Sequence, residues 1–587
     1  MYKKIHAQGA GQNKHLIHLW DDEGYHQIKW KNHSYREVNS DDAPYRGLNG
    51  EKLVRTNDAK KGDMGLHFHD ISAHQKFLIE TYGINDEPST THREVFFDIE
   101  IEMGGALTEE YIASAPKPVT SIAWYDKQAD HWSIIILDKK GQLKHTKTGE
   151  NKNKEIIPVS HEADLLDMFL NKMEEINPDI LVGYNSDYFD IPYLYYRMCN
   201  VLGDSEAKRL SPIGLVDDKV SKGEYWYKAD QFVDIIGLQS LDYMRLHKKY
   251  GWEDEPSWKL DAIGEKYVGI NKIEYEGSLD RLFEEDIHKF IQYNFVDVEI
   301  LVELDKKLQY LALTKNLAHK GKVNYSEVYA SSKIHDGAIS AYLLSKGIIP
   351  PNRPMGAKKL NYAGGYLFCP KAGLYKYMFD EDLTSLYPSI IMSLNIGQET
   401  FMGRIVPEDL PENLQDFGPY SGKPDRNNYF GLSDLKNMDP ERELIIKNHR
   451  EKAATVTVEK LIALIEKNKW TVSANGCFFR TDKESVLSTI LNKWFDERVL
   501  YKNRMKKAYK AGDTEGGEKN HLLQYTMKIL LNSLYGATAL PSFRYGMPMS
   551  ILSEAITLSG WRIIQESALC ANRHMNKVIK NEIKIEL

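Results

Sequence analysis

Residues 94–102 read Glu-Val-Phe-Phe-Asp-Ile-Glu-Ile-Glu, an alternation of apolar and acidic side chains with the period of a β-strand. Val95, Phe97, Ile99 and Ile101 point one way; Asp98, Glu100 and Glu102 point the other. On a strand, Asp98 and Glu100 stand about 6.6–6.8 Å apart along the backbone. Two carboxylates at that spacing can bracket divalent ions held about 3.5–4 Å from each other. Magnesium suits such a seat, because it accepts a few carboxylates and keeps water or phosphate oxygens as its other ligands. Taken alone, the same strand also reads as a solvated acidic sheet edge.

Further acids fall where such a seat needs them. Residues 179–185 look like a buried strand ending in a turn, and Asp190 follows near a helix start, ahead of Ile191-Pro192. There it can equally cap the helix or offset its dipole. Ile287, Phe290, Ile291, Leu301, Leu304 and Leu308 mark a long amphipathic helix. Tyr293 and Asp297, four apart, share one of its faces. A phenol one turn from a metal-bound carboxylate can orient an attacking water. Farther on, residues 374–379 are strand-like, Asp382 stands just past their end, and Pro388 allows a helix to begin beyond Tyr387. The layout suggests two separate phosphoryl-transfer centres. Asp380, two residues before Asp382, competes with it for the second one.

A chain of 587 residues is too long for one core, so several domains are expected. No apolar run approaches a membrane span, and the N-terminus lacks a signal-peptide stretch. Cys199, Cys369, Cys477 and Cys570 lie far apart with no Cys-x-x-Cys spacing, which fits a reducing compartment. The net charge of −8 does not by itself point to nucleic acid. Locally the balance reverses: between Lys493 and Lys528, nine Lys/Arg face five Asp/Glu. Within that stretch Arg498 and Lys502 are four apart, and Lys528, Asn532 and Tyr535 recur at helical spacing. Lysine supplies point charge for phosphate, and an aromatic on the same face can pack against a base pair. Helical periodicity dominates 447–467 and 485–534, and a further helix is expected over 550–577. Residues 407–440 read as a loop-rich insertion.

The three early clusters, Asp98-x-Glu100, Asn185-x(3)-Phe189-Asp190 and Tyr293-x(3)-Asp297, resemble in spelling and order the 3′–5′ proofreading exonuclease of family B DNA polymerases. Asp382-x(2)-Ser385-Leu386-Tyr387-Pro388-Ser389-Ile390 resembles the segment of that family that seats the incoming nucleotide. Lys528-x(3)-Asn532-Ser533-Leu534-Tyr535-Gly536 resembles its fingers, and Tyr362-x-Gly364-Gly365 the segment joining exonuclease and polymerase. The spelling is similar to replicative polymerases of T-even-like bacteriophages.

The resemblance implies a multidomain α/β and α+β chain: an N-terminal mixed domain (1–95), a ribonuclease-H-like exonuclease domain (96–322), a connector returning to the N-terminal domain (323–372), the first part of a palm (373–484), two-helix fingers (485–540) and a palm continuation (541–587). It implies two Mg2+ ions per centre, which Mn2+ can replace. Asp98, Glu100, Asp190 and Asp297 would ligate one pair, with Tyr293 orienting water; Asp382 and the backbone of Leu383 would hold the other. Ser385, Leu386, Tyr387, Arg498, Lys502, Lys528, Asn532, Tyr535 and Gly536 would bind the deoxynucleoside triphosphate. Tyr387 would exclude a 2′-hydroxyl. Tyr362, Gly364 and Gly365 would contact template, and Gly512 with Gly516-Gly517 would turn the fingertip.

The family also uses an Asp-Thr-Asp hairpin after the fingers, and these 587 residues contain none. The sequence therefore reads as the N-terminal portion of a polymerase, with the remaining palm acid, the thumb and any sliding-clamp contact on a second polypeptide, as in a split gene; a truncated reading frame fits the same residues. Primer-template DNA and single-stranded DNA are the expected partners, and the cytoplasm, of a host cell for a virus, the expected compartment. The alternative is a non-catalytic DNA-binding or assembly subunit that keeps the fold.

Overall fold

The computed structural model describes residues 1–579 except 12, 58–64, 148–152, 219–232, 252, 355–363, 367–371, 375–381, 407–430 and 449–451. Tyr362, Cys369, Asp380 and most of the strand expected over 374–379 therefore lie outside the described residues. The chain forms two compact units. The first comprises 1–32, 73–78 and 85–329, and the second 33–72, 79–84 and 330–587. Residues 1–95, expected as one N-terminal domain, contribute to both. No described helix is long and apolar enough to cross a membrane.

In the first unit, strands Tyr2–Gly9, Lys14–Asp21 and Gly24–Lys31 form an antiparallel sheet. A seven-stranded sheet follows. Its spatial order is 146–147, 154–159, 131–137, 119–126, 94–101, 180–183, 239–242. Strands Glu94–Ile101, Val119–Asp126 and His131–Leu137 form an antiparallel meander, and Ile180–Gly183 and Gln239–Asp242 extend it in parallel. Without the 146–159 edge, the strands run 3-2-1-4-5 across the sheet. Val95, Phe97, Ile99 and Ile101 enter one core with Leu165, Phe169, Ile191 and Leu194, so helices Glu162–Ile176 and Asp190–Val201 cover that face. Each such side chain contributes about 1.5–3 kcal/mol on full burial. Helix Ile287–Leu308 packs on the same strand as well.

In the second unit, Ile348–Ile349 pairs in parallel with Tyr45–Gly47 in a five-stranded sheet. A second five-stranded sheet, wholly antiparallel, orders 453–457, 443–447, 401–405, 477–479 and 471–472. Two helices of 25 residues each, Val486–Lys510 and Thr514–Thr538, pack on each other, and helix Ile551–Ile579 follows. The helix expected over 447–467 is shorter: Ala453–Thr457 is a strand and helix Val458–Asn468 follows. Thr455, Val456 and Thr457 are β-branched and pair well in a sheet. Thr457 Oγ1 then accepts from Lys460 N at 3.4 Å, so the helix starts there. The turn between the two long helices holds Gly512 (φ 76°) alone. Gly516 and Gly517 belong to the second helix instead. A Cβ on Gly517 would meet Tyr509 Cε1 at 2.3 Å, so glycine there admits the tyrosine ring.

Candidate active site

In the first unit the strand and the long helix bring acids of distant sequence together. Asp98, Glu100 and Asp297 offer carboxylate oxygens that all lie within 4.8 Å of one another. Asp98 and Glu100 are half-buried on the strand face opposite Val95 and Phe97, and Asp297 is buried on the helix. Asp190 opens helix Asp190–Val201, and its Oδ1 accepts from the Ile99 N–H at 3.4 Å, between the two strand acids. All four sequence-predicted acids therefore converge.

The electrostatics follow from that convergence. Burial, then the charges of Asp297, Asp190 and Glu100, holds Asp98 well above the usual carboxylate range. Burial and Asp297 push Glu100 up to about 8. Burial pushes Asp190 up to about 7, against the pull of the Ile99 N–H. Asp297 is raised by burial, with Lys272 opposing. Like charges crowded in low dielectric resist ionisation. Asp297 Oδ1 is buried with no hydrogen-bond partner among the described residues. Raised carboxylates and an orphaned buried oxygen are the donor set that divalent cations fit.

Three neighbours went unread in the sequence. Lys272 Nζ donates to Asp297 Oδ2 at 2.5 Å and to the Tyr293 hydroxyl at 3.1 Å. Its backbone N–H is held by Asp261 Oδ1 at 2.8 Å. It lies in a segment without regular structure, so no periodicity marks it. Asn294 Nδ2 donates to Asp98 Oδ2 at 3.3 Å across 196 positions, and Ser121 Oγ donates to Asn294 Oδ1 at 2.8 Å. Asn294 was legible in part, because it precedes Asp297 by three positions on one helix face.

In the second unit, Asp382 and Leu383 are exposed and lead into helix Leu386–Leu394, with Ser385 in the left-handed region (φ 54°). The helix begins one residue before Tyr387, with Pro388 in its first turn. The rings of Tyr387 and Tyr535 lie 4.3 Å apart. A Cβ on Gly365 would sit 3.3 Å from the Tyr387 hydroxyl. Burial, then the charges of Arg498 and Lys502, lowers Lys528 below the ordinary lysine range. Arg498 Nε is buried with no partner among the described residues. Asn532 and Gly536 are exposed on the helix of Lys528.

A family model described as DNA polymerase family B matches residues 329–586, and one described as DNA polymerase family B, exonuclease domain, matches residues 73–263. The chain belongs to the family B DNA polymerases. The DNA-directed DNA polymerase of Escherichia phage RB69 is 28% identical over 547 residues, covering 86% of this chain and 58% of the phage protein. That of Enterobacteria phage T4 is 28% identical over 428 residues, covering 72% of this chain and 47% of its own. The DNA polymerase of Thermococcus gorgonarius is 24% identical over 347 residues, covering 57% and 41%. This family B chain thus spans between about half and three fifths of the length of the two phage relatives. Of its four cysteines, Cys199, Cys477 and Cys570 are free thiols.

Proposed function

We propose that the centre around Asp98 removes nucleotides from the 3′ end of single-stranded DNA, and that the second unit binds primer-template DNA and a deoxynucleoside triphosphate for chain extension. The convergence of Asp98, Glu100, Asp190 and Asp297 carries the first reading. The 3-2-1-4-5 strand order supports a ribonuclease-H-like domain, expected over 96–322. Paired Mg2+ or Mn2+ ions held by the four acids would lower the pKa of the attacking water and neutralise charge at the scissile phosphate. The chain's own groups hold the geometry. Tyr293, kept protonated by burial and by Asp297, presents its hydroxyl to orient the water. Lys272 fixes Tyr293 and Asp297 relative to each other. Asn294 sets the rotamer of Asp98.

For extension, Asp382 and the Leu383 backbone are the metal and triphosphate seat, with Ser385 and Leu386 beside it. Tyr387, backed by Tyr535, lies under the sugar. Arg498, Lys502 and Lys528 hold the phosphates, and Asn532 and Gly536 border the base pair. Gly364 and Gly365, with Tyr362, contact template. The second palm acid, the thumb and a clamp contact would come from outside these 587 residues. The family's in-line transfer needs carboxylates that activate the primer hydroxyl and stabilise pyrophosphate.

The test is shortening of a 5′-labelled single-stranded oligonucleotide by the isolated chain. A ladder with Mg2+ and none with EDTA is expected. Full activity in Asp98→Ala rejects the assignment. No activity at any metal concentration favours the non-catalytic DNA-binding alternative.

A further inference from the structure

Asp242 ends strand Gln239–Asp242 and pairs with Gly183, the end of strand Ile180–Gly183. Its side chain is fully buried. Oδ1 accepts from three backbone N–H groups. Two, Met244 at 2.9 Å and Arg245 at 3.3 Å, cap helix Tyr243–Tyr250. The third is Asn185 N at 2.9 Å, which belongs to the turn leading into Asp190. That bond does nothing for the helix; it ties down a separate loop.

The same turn is gripped a second time. Buried Asp187 accepts from Ser240 Oγ at 2.8 Å and from Arg245 Nη1 at 2.5 Å. The Arg245 guanidinium lies 4.0 Å from the Tyr329 ring centre and 5.6 Å from that of Tyr188. Asn185 is left-handed (φ 62°), and its carbonyl accepts from Tyr188 N and Phe189 N, which closes the turn just before Asp190. Among the described residues, the Asp190 carboxylate reaches across to the strand through the long 3.4 Å bond from Ile99 N. Its position is therefore set by the backbone of the 184–189 turn.

We propose that Asp242 and Arg245 are positioning residues for hydrolysis: they lock the 184–189 turn and so hold Asp190 against Asp98 and Glu100. The proposal rests on the hydrolytic reading above and deepens it. Burial and Asp187 hold Asp242 up to about 7. The Oδ1 acceptor is the working part, and Asn retains an acceptor oxygen there.

Mn2+ affinity, measured by electron paramagnetic resonance, and hydrolysis of single-stranded DNA are compared in the full chain and in D242A, D242N, R245M and S278A. Ser278 Oγ caps helix Leu279–Glu285 in the same unit, accepting from Arg281 N at 3.2 Å, and serves as a cap with no tie to Asp190. D242A and R245M are expected to weaken Mn2+ binding and lower kcat by about tenfold or more, with KM for DNA little changed. D242N is expected within about threefold of the parent, and S278A to match the parent's Mn2+ affinity. If D242A does not fold, R245M carries the test. Parent-like Mn2+ affinity in folded D242A or R245M overturns the proposal, as does a loss in S278A equal to theirs. Weakened Mn2+ binding alongside a parent that never hydrolyses DNA supports the positioning role and rejects the hydrolytic reading instead.

Discussion

Around Asp98 the fold crowds four carboxylates, two half-buried and two buried, and Lys272 pairs with one of them at 2.5 Å. On the helices Val486–Lys510 and Thr514–Thr538 it does the reverse, gathering Arg498, Lys502 and Lys528, and burial, then the charges of the other two, lowers the basicity of Lys528. Both are like-charge clusters that destabilise the protein on its own. They differ in which ligand completes them: cations at the first, an anion such as a triphosphate at the second. Perturbed titratable groups gather at functional sites for this reason. The first cluster is assembled from a strand, a helix start and a long helix. The second needs only two neighbouring helices, so it is simpler to encode and offers fewer groups to fix geometry.

Separating the two clusters by mutation is the strongest challenge to that contrast. Asp98→Ala should reduce single-strand hydrolysis by roughly 10³-fold or more, the scale on which paired-ion sites fail when a ligand is lost. Nucleotide binding by the second unit should stay unchanged in a fluorescence titration; a parallel loss would show that the centres are not independent. Conversely, Lys528→Ala removes a charge-assisted phosphate bond worth about 1.5–3 kcal/mol. It should weaken triphosphate binding by about tenfold to a hundredfold and leave hydrolysis within twofold.

The carboxylate cluster also predicts a pH signature. Acids whose folded values are raised hold protons that the unfolded chain has already released, so stability falls as pH rises through the interval between those values. For Glu100 that interval runs from its ordinary 4.5 to about 8, and for Asp190 from 3.8 to about 7. In EDTA, melting at pH 8 should therefore occur several degrees below melting at pH 6. Mg2+ should remove most of that slope; an unchanged slope would mean the cluster takes no cation. The smallest effect is expected at Gly517→Ala. The added Cβ displaces the exposed Tyr509 ring, and Ala's better helix propensity, up to about 1 kcal/mol, offsets part of the strain. A stability change above roughly 1 kcal/mol by chemical denaturation would show that ring to be a structural clamp.

Much of this was legible in the chain. The alternation at 94–102 placed Asp98 and Glu100 on one strand face, and the spacing of Tyr293 and Asp297 placed them on one helix face. The long helices of the second unit were visible as periodic stretches. The strand Ala453–Thr457 was misread, because a short β-branched run beside a helix start blends into the helical pattern until its sheet partner at 443–447 is known.

The order of residues alone settled which acids, cations and aromatics each element presents, since strand and helix periods are local properties of the backbone. Folding settled the rest. Lys272 reaching Asp297, Asn294 steering Asp98, Asp242 holding Asn185 and the upward shift of Glu100 are all distances in space between residues far apart in the chain. Electrostatic and hydrogen-bond energies depend on those distances and on burial, and only packing determines either one.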